Sequence, residues 1–240
     1  MISIVCWLWN EGYRDFQPKH VNILQRMVAK NLAQPHRFIC ITEETEGFSP
    51  GVEVIQTPKA AAALSHLQTP EGVKFPSCYR RLWMFSQAAK MLGEQVLLID
   101  IDLVVTGDLA PVVNRDVDFM GWRPYRDWGR KTRFGGGLYL LKTGTRTAVW
   151  DDFVGAASIA EARHAGFRGS DQAWISFKLG EKDPYFERTA GIYSIRDMLN
   201  ANPKNKYKLP SDARLVQFNG PEKPWSAVAM QVPWVQANFR

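Results

Sequence analysis

The chain has 240 residues, 45% hydrophobic and 22% charged, with 30 Lys and Arg against 24 Asp and Glu, a net charge of +6. Nine Trp, thirteen Phe and seven Tyr are too much apolar area to leave in water, which excludes a disordered chain. Three cysteines without CxxC spacing, Cys6, Cys40 and Cys78, exclude a disulfide scaffold and read as reduced thiols.

Residues 2–8 form a short apolar run of β-formers, a buried strand. Pro18 opens a helix in which Val21, Leu24, Met27, Val28 and Leu32 recur at helical spacing. Residues 37–42 and 52–56 read as two further strands, and 60–76 as an irregular stretch. Residues 80–92 are expected to be helical, with Leu82, Phe85, Ala89 and Leu92 on one face and Gly93 as the stop. Strands follow at 95–99, 118–122 and 137–141, helices at 145–165 and 170–179, and a late strand at 214–218. Strands alternating with helices predict an α/β fold with a mostly parallel central sheet flanked by helices. There is no internal repeat or low-complexity linker, so one domain is expected over 1–240.

The most apolar run, 96–105, is broken by Asp100 and Asp102 and is too short to span a membrane. The N-terminal MISIVCWLWNEG has neither a basic n-region nor a small-residue cleavage site, so a cytoplasmic location is expected. A charge of +6 on this length is modest, and no nucleic-acid partner is expected.

The sharpest feature is VLLIDIDLVV at 96–105. Residues i and i+2 of a strand face the same side, so Asp100 and Asp102 can point at one place past the strand's carboxyl end. In open α/β sheets ligands bind there. Two adjacent carboxylates repel unless a cation joins them, and a hard ion such as Mg²⁺ or Mn²⁺ would also bridge phosphates. Two enzyme classes use the pattern: metal-dependent glycosyltransferases with a DxD motif, and phosphohydrolases with an aspartate nucleophile. In the second, Asp100 would be the nucleophile and Asp102 the acid/base. That motif usually lies near the N-terminus, whereas about a hundred residues precede it here.

Three other segments accompany DID: FGGGL at 134–138, SDQ at 170–172 and QFNGPEKPW at 217–225. In order and rough spacing, the four resemble motifs of the retaining GT-A glycosyltransferases of the glycogenin and bacterial lipopolysaccharide galactosyltransferase family (family eight). The family carries a DxD, an FNxG-like strand start, a DQ and a late HxxGxxKPW. The resemblance implies a GT-A, nucleotide-diphospho-sugar transferase fold with a nucleotide-binding half over 1–115 and an acceptor-side half over 116–240. It implies transfer from a nucleotide-sugar donor, a UDP-sugar, to a glycan, lipid-linked or protein hydroxyl, with retention and Mn²⁺ or Mg²⁺. The donor-binding set carried over is Trp9, Asn10, Tyr13, Arg81, Asp100, Ile101, Gly136, Gly220 and Lys223. Tyr13 would stack on the uracil and Lys223 would contact the diphosphate. The metal set would be Asp100, Asp102, Gln217 and Asn219, and Asp171 and Gln172 would lie beside the transferred sugar.

Two positions depart from the family. Its metal-binding His is Gln217 here, with Asn219 two residues on along the same strand face, and its Asn after Phe134 is Gly135. These departures keep open a non-catalytic binding protein of the same fold. Aromatics interleave with Arg123, Arg126, Arg130, Lys131 and Arg133 in 122–133, suiting an acceptor wall for an anionic group. The four His show no ligand spacing and read as surface or capping residues.

Overall fold

The computed structural model describes residues 1–9, 15–123, 131–180, 182–196, 198 and 207–240. The strands are β1 (Ile2–Leu8), β2 (His36–Thr42), β3 (Glu53–Gln56), β4 (Gln95–Ile99), β5 (Leu103–Val105), β6 (Phe119–Trp122), β7 (Leu138–Lys142), β8 (Tyr185–Phe186), β9 (Ile192–Ser194) and β10 (Leu215–Gln217). Seven form one sheet in the order β3-β2-β1-β4-β7-β6-β8, and β5-β10-β9 form a second. In the large sheet only β7 runs against its neighbours, so the sheet is mostly parallel, as expected.

β1 lies mid-sheet, and all seven of its residues are buried. Its alternation divides the core: Ile4, Cys6 and Leu8 face one apolar layer, and Val5 and Trp7 face the other. Helix α1 (Pro18–Asn31) covers the first layer with Val21, Leu24, Met27 and Val28. Cys6 lies opposite Cys40 in the β1–β2 register, and all three cysteines are buried and free. Burial, with the Cys40 neighbour, pushes the Cys6 thiol well above its ordinary range.

Two expected helices are broken. Residues 77–92 form two 3-10 stretches, Ser77–Phe85 and Gln87–Leu92, separated at Ser86, whose ψ is 159°. Cys78 through Phe85 are all buried, so this segment is packed on every side and has no polar face to keep toward water. Gly93, at φ 118°, ends it as the sequence predicts. Residues 145–165 split into α2 (Ala148–Asp151) and α3 (Ala156–His164) around Gly155, at φ 72°. The break lets Phe153 stack on Tyr79 at 5.6 Å and meet Trp174 edge-on at 5.4 Å. Helix α4 (Asp171–Leu179) forms as expected.

The apolar run at 96–105 is not one strand. It leaves the large sheet after Ile99, turns through Asp100–Asp102, and enters the small sheet as β5. β5 pairs antiparallel with β10, placing Gln217 opposite Leu103, and the Phe218 N–H donates to the Asp102 carbonyl at 2.8 Å. Both carboxylates therefore sit at the corner between the two sheets. Among the described residues, no helix is long and apolar enough to cross a membrane.

Candidate active site

A cleft of about 770 Å³ opens at that corner. The carboxyl ends of parallel β1 and β4 deliver Trp9 and Asp100 to it, and the turn into β7 delivers Gly135, Gly136 and Gly137. From the small sheet come Asn219 and Gly220, after β10, and Arg196, after β9.

Three side chains form a charge core. Arg81 donates from Nη1 to Asp100 Oδ1 at 2.6 Å and from Nε to Asp171 Oδ2 at 2.8 Å. Ser170 Oγ donates to the other Asp171 oxygen at 2.9 Å. Asp171 is fully buried and Arg81 is nearly so, whereas Asp100 opens to the cleft. Burial opposes the charge on Arg81, yet Asp171 and Asp100 outweigh it and hold the guanidinium well above its ordinary value. Burial and Asp171 push the thiol of Cys78, also on the cleft wall, up to about 11, which disfavours its thiolate at neutral pH.

The glycine run is explained by contact with this core. A Cβ on Gly137 would lie 2.0 Å from Asp100 Oδ2, and one on Gly136 would lie 2.9 Å from Arg81 Nη2 and from Asp171 Oδ1. The Gly137 carbonyl accepts the Asp100 N–H at 2.8 Å, and the Gly136 N–H reaches Gln172 Oε1 at 3.3 Å. The run is the close-fitting wall behind the carboxylates.

Lys223 meets Asp102 from the other side, Nζ to Oδ2 at 2.5 Å, and also donates to the Phe218 carbonyl at 3.3 Å. Its loop is pinned by Trp225, which stacks on His20 with ring centroids 3.9 Å apart and meets Phe16 edge-on at 5.3 Å. His20 Nδ1 accepts the Gln17 backbone N–H at 3.1 Å, a bond only the neutral ring makes. Burial, with Lys19 nearby, lowers His20 to about 4 from 6.5. Because the unfolded chain binds this proton first, the contribution of neutral His20 is present above pH 6.5 and lost as pH falls toward about 4. The loss should be on the order of 2 kcal/mol. Urea denaturation across that window should show it in the wild type and a shallower fall in His20→Gln.

Gln217 is 4% exposed, and its Nε2 is buried without a hydrogen-bond partner among the described residues. Asn219 Oδ1 accepts from Ser194 Oγ at 2.7 Å. Among the described residues no group of three His, Cys, Asp or Glu gathers as a metal site, so carboxamides would have to complete the Asp100–Asp102 pair.

Known structures share this architecture. The galactosyltransferase LgtC, solved with donor and acceptor sugar analogues, matches with a TM-score of 0.62 at 15% identity, over 98% of this chain and 94% of LgtC. The chain has the GT-A glycosyltransferase fold. Apo GlyE from Streptococcus pneumoniae TIGR4 matches with a TM-score of 0.59 at 14% identity, over 94% of this chain and 56% of GlyE. The bifunctional glycosyltransferase WbbM matches at 0.56 and 12%, over 95% of this chain and 47% of WbbM, so the chain spans about half the length of these two. No protein-family model and no curated protein matches the sequence.

Within this GT-A frame, most residues singled out by sequence come together. Trp9, Arg81, Asp100, Ile101, Asp102, Gly136, Gln172, Gln217, Asn219, Gly220 and Lys223 all line the cleft. Asp171 does not itself line the cleft. It stands behind Arg81, screened from the cleft, because its charge is consumed in holding that guanidinium. Asn10 and Tyr13, and Arg126 and Arg130 of the basic stretch, lie outside the described residues. Arg123 of that stretch lies over the Tyr185 ring at 5.4 Å. Trp122, the first aromatic of that stretch, lines the cleft, while the sequence reading missed Trp7, Phe16, Ser194 and Arg196. Of these, Ser194 and Arg196 had no detectable signal, since a short strand far along the chain brings them in.

Proposed function

We propose that the chain is a glycosyltransferase that moves a sugar from a UDP-sugar to a hydroxyl acceptor with retention of configuration. The observation that carries this reading is the convergence of Asp100, Asp102, Gln172, Gly220 and Lys223 on one cleft, at the strand ends where GT-A folds open. These residues come from three separate stretches of sequence.

The residues divide the work by chemistry. Lys223 is a point charge that can leave Asp102 for the diphosphate. Gly220 presents bare backbone to the same group. Arg81, locked between Asp100 and Asp171, fixes the orientation of the Asp100 carboxylate. The C1–O bond to the diphosphate breaks, the acceptor oxygen bonds to C1 on the same face, and the departing phosphate oxygen takes the acceptor proton. The Gln172 carboxamide, oriented by the Gly136 N–H, lies beside that face as a polar, non-nucleophilic group. An active-site Gln-to-Glu mutant is among the LgtC structures this chain matches, which agrees with such a role.

The donor set suits a hard divalent ion. Asp100 and Asp102 offer carboxylate oxygens, Asn219 a carboxamide oxygen, and Gln217 has a buried amide nitrogen still lacking a partner, so turning that amide presents its oxygen. Mn²⁺ or Mg²⁺ held there would offset charge on the departing diphosphate. A carboxamide binds Mn²⁺ less well than imidazole.

Calorimetric titration with UDP, GDP and ADP, with and without Mn²⁺, tests the reading. UDP should bind, and Mn²⁺ should tighten it. Gln217→His should raise Mn²⁺ affinity about tenfold in the same titration. Absence of binding by every nucleotide would overturn the reading. UDP binding with no consumption of any UDP-sugar would favour a non-catalytic binder, the reading that Gln217 and Gly135 support.

A further inference from the structure

Three cationic side chains among the described residues line the cleft: Arg81, Lys223 and Arg196. Arg81 is shared by Asp100 and Asp171, and Lys223 is held by Asp102. Arg196 is exposed, and no described carboxylate pairs with it. The remaining acid on the wall, Asp15, accepts from Gln17 Nε2 at 3.0 Å instead. Arg196 is thus the cleft cation whose charge has no counterpart within the described protein.

Its position is built by the small sheet. β9 and β10 run parallel with Ser194 opposite Gln217, so Arg196 and Asn219 emerge side by side from the two carboxyl ends. The buried Ser194 hydroxyl joins them, donating to Asn219 Oδ1 at 2.7 Å and accepting the Arg196 N–H at 3.1 Å. The guanidinium then lies along Gly220, with Nε 3.3 Å and Nη2 3.6 Å from where a Cβ would stand. Gly220 is the bare stretch of backbone next to Lys223, so a group seated there meets Arg196 on its flank.

We propose that Arg196 is a diphosphate-binding residue, a planar fork that grips the nucleoside diphosphate opposite Lys223, and that Ser194 is its positioning residue. The proposal rests on the nucleotide-donor reading above. A guanidinium matches phosphate oxygens two at a time, whereas Lys223 contributes a point charge. Arg196 would add charge the cleft otherwise lacks, because its other cations are neutralised by Asp100, Asp102 and Asp171.

The test is titration of wild type, Arg196→Gln, Arg196→Lys and Ser194→Ala with UDP, UMP and uridine. Arg196→Gln, at an exposed position, should fold normally and weaken UDP about tenfold or more, with uridine unchanged. Arg196→Lys should recover part of the loss, and Ser194→Ala should weaken UDP less while sparing uridine. The ratio of UDP to uridine affinity is the decisive readout, because a merely structural role would shift both together. Equal UDP binding by wild type and Arg196→Gln, or equal loss of UDP and uridine, overturns the assignment and leaves the donor reading standing. No UDP binding by the wild type overturns both.

Discussion

Asp171→Ala should cost about 3–5 kcal/mol of stability, a large share of what a domain possesses. The reason is the buried Arg81 guanidinium, which Asp171 meets at 2.8 Å in a place water does not reach. Removing the carboxylate leaves Asp100, itself partly exposed, as the only described acid on that charge. Asp171→Asn should cost less, because the amide still accepts from Arg81 while losing the opposite charge. Urea denaturation should show the midpoint falling with little change in slope. A residue acting directly on the sugar would behave in the opposite way, with turnover falling and the urea midpoint unmoved. That outcome would overturn the positioning role assigned to Asp171.

Asp102→Asn should lower sugar transfer by about 10²–10³-fold while changing stability by less than about 1 kcal/mol. The carboxylate sits on the corner between the sheets, 2.5 Å from Lys223, and packs no core. Its loss removes a charged oxygen from the proposed cation site and releases Lys223 from its resting partner. Consumption of UDP-sugar donors gives the activity, and thermal unfolding gives the stability. Asp100→Asn makes a useful contrast. It should lose activity comparably and also stability, because Asp100 shares Arg81 with Asp171. Full activity in Asp102→Asn would remove the carboxylate pair from the mechanism.

Much of this site was legible because its strongest signals are local. The position just past a buried strand placed Asp100 and Asp102 at a ligand-binding edge, although it is the turn between β4 and β5, not strand alternation, that holds them there. Gly220 and Lys223 belong to a short motif that keeps its spacing. The 145–165 segment was misread for the opposite reason. Its helical composition was outweighed by a non-local contact, Phe153 on Tyr79, which no window around Gly155 contains. Arg80 to Leu92 likewise has the spacing of a one-faced helix, but the fold buries nearly all of its first half.

The sequence by itself determined the α/β class, the buried strand β1, helix α1, the free thiols and the carboxylate pair, because burial periodicity and turn residues act over a few neighbours. The tertiary structure alone decided which polar groups meet. Arg81 and Asp171 are 90 residues apart, Lys223 and Asp102 are 121 apart, and Ser194 and Asn219 are 25 apart. An ion pair depends on distance through space and on exclusion of water, and both are set only once the two sheets close on each other. For that reason Asp171 came to support Arg81, and Arg196 came into the cleft.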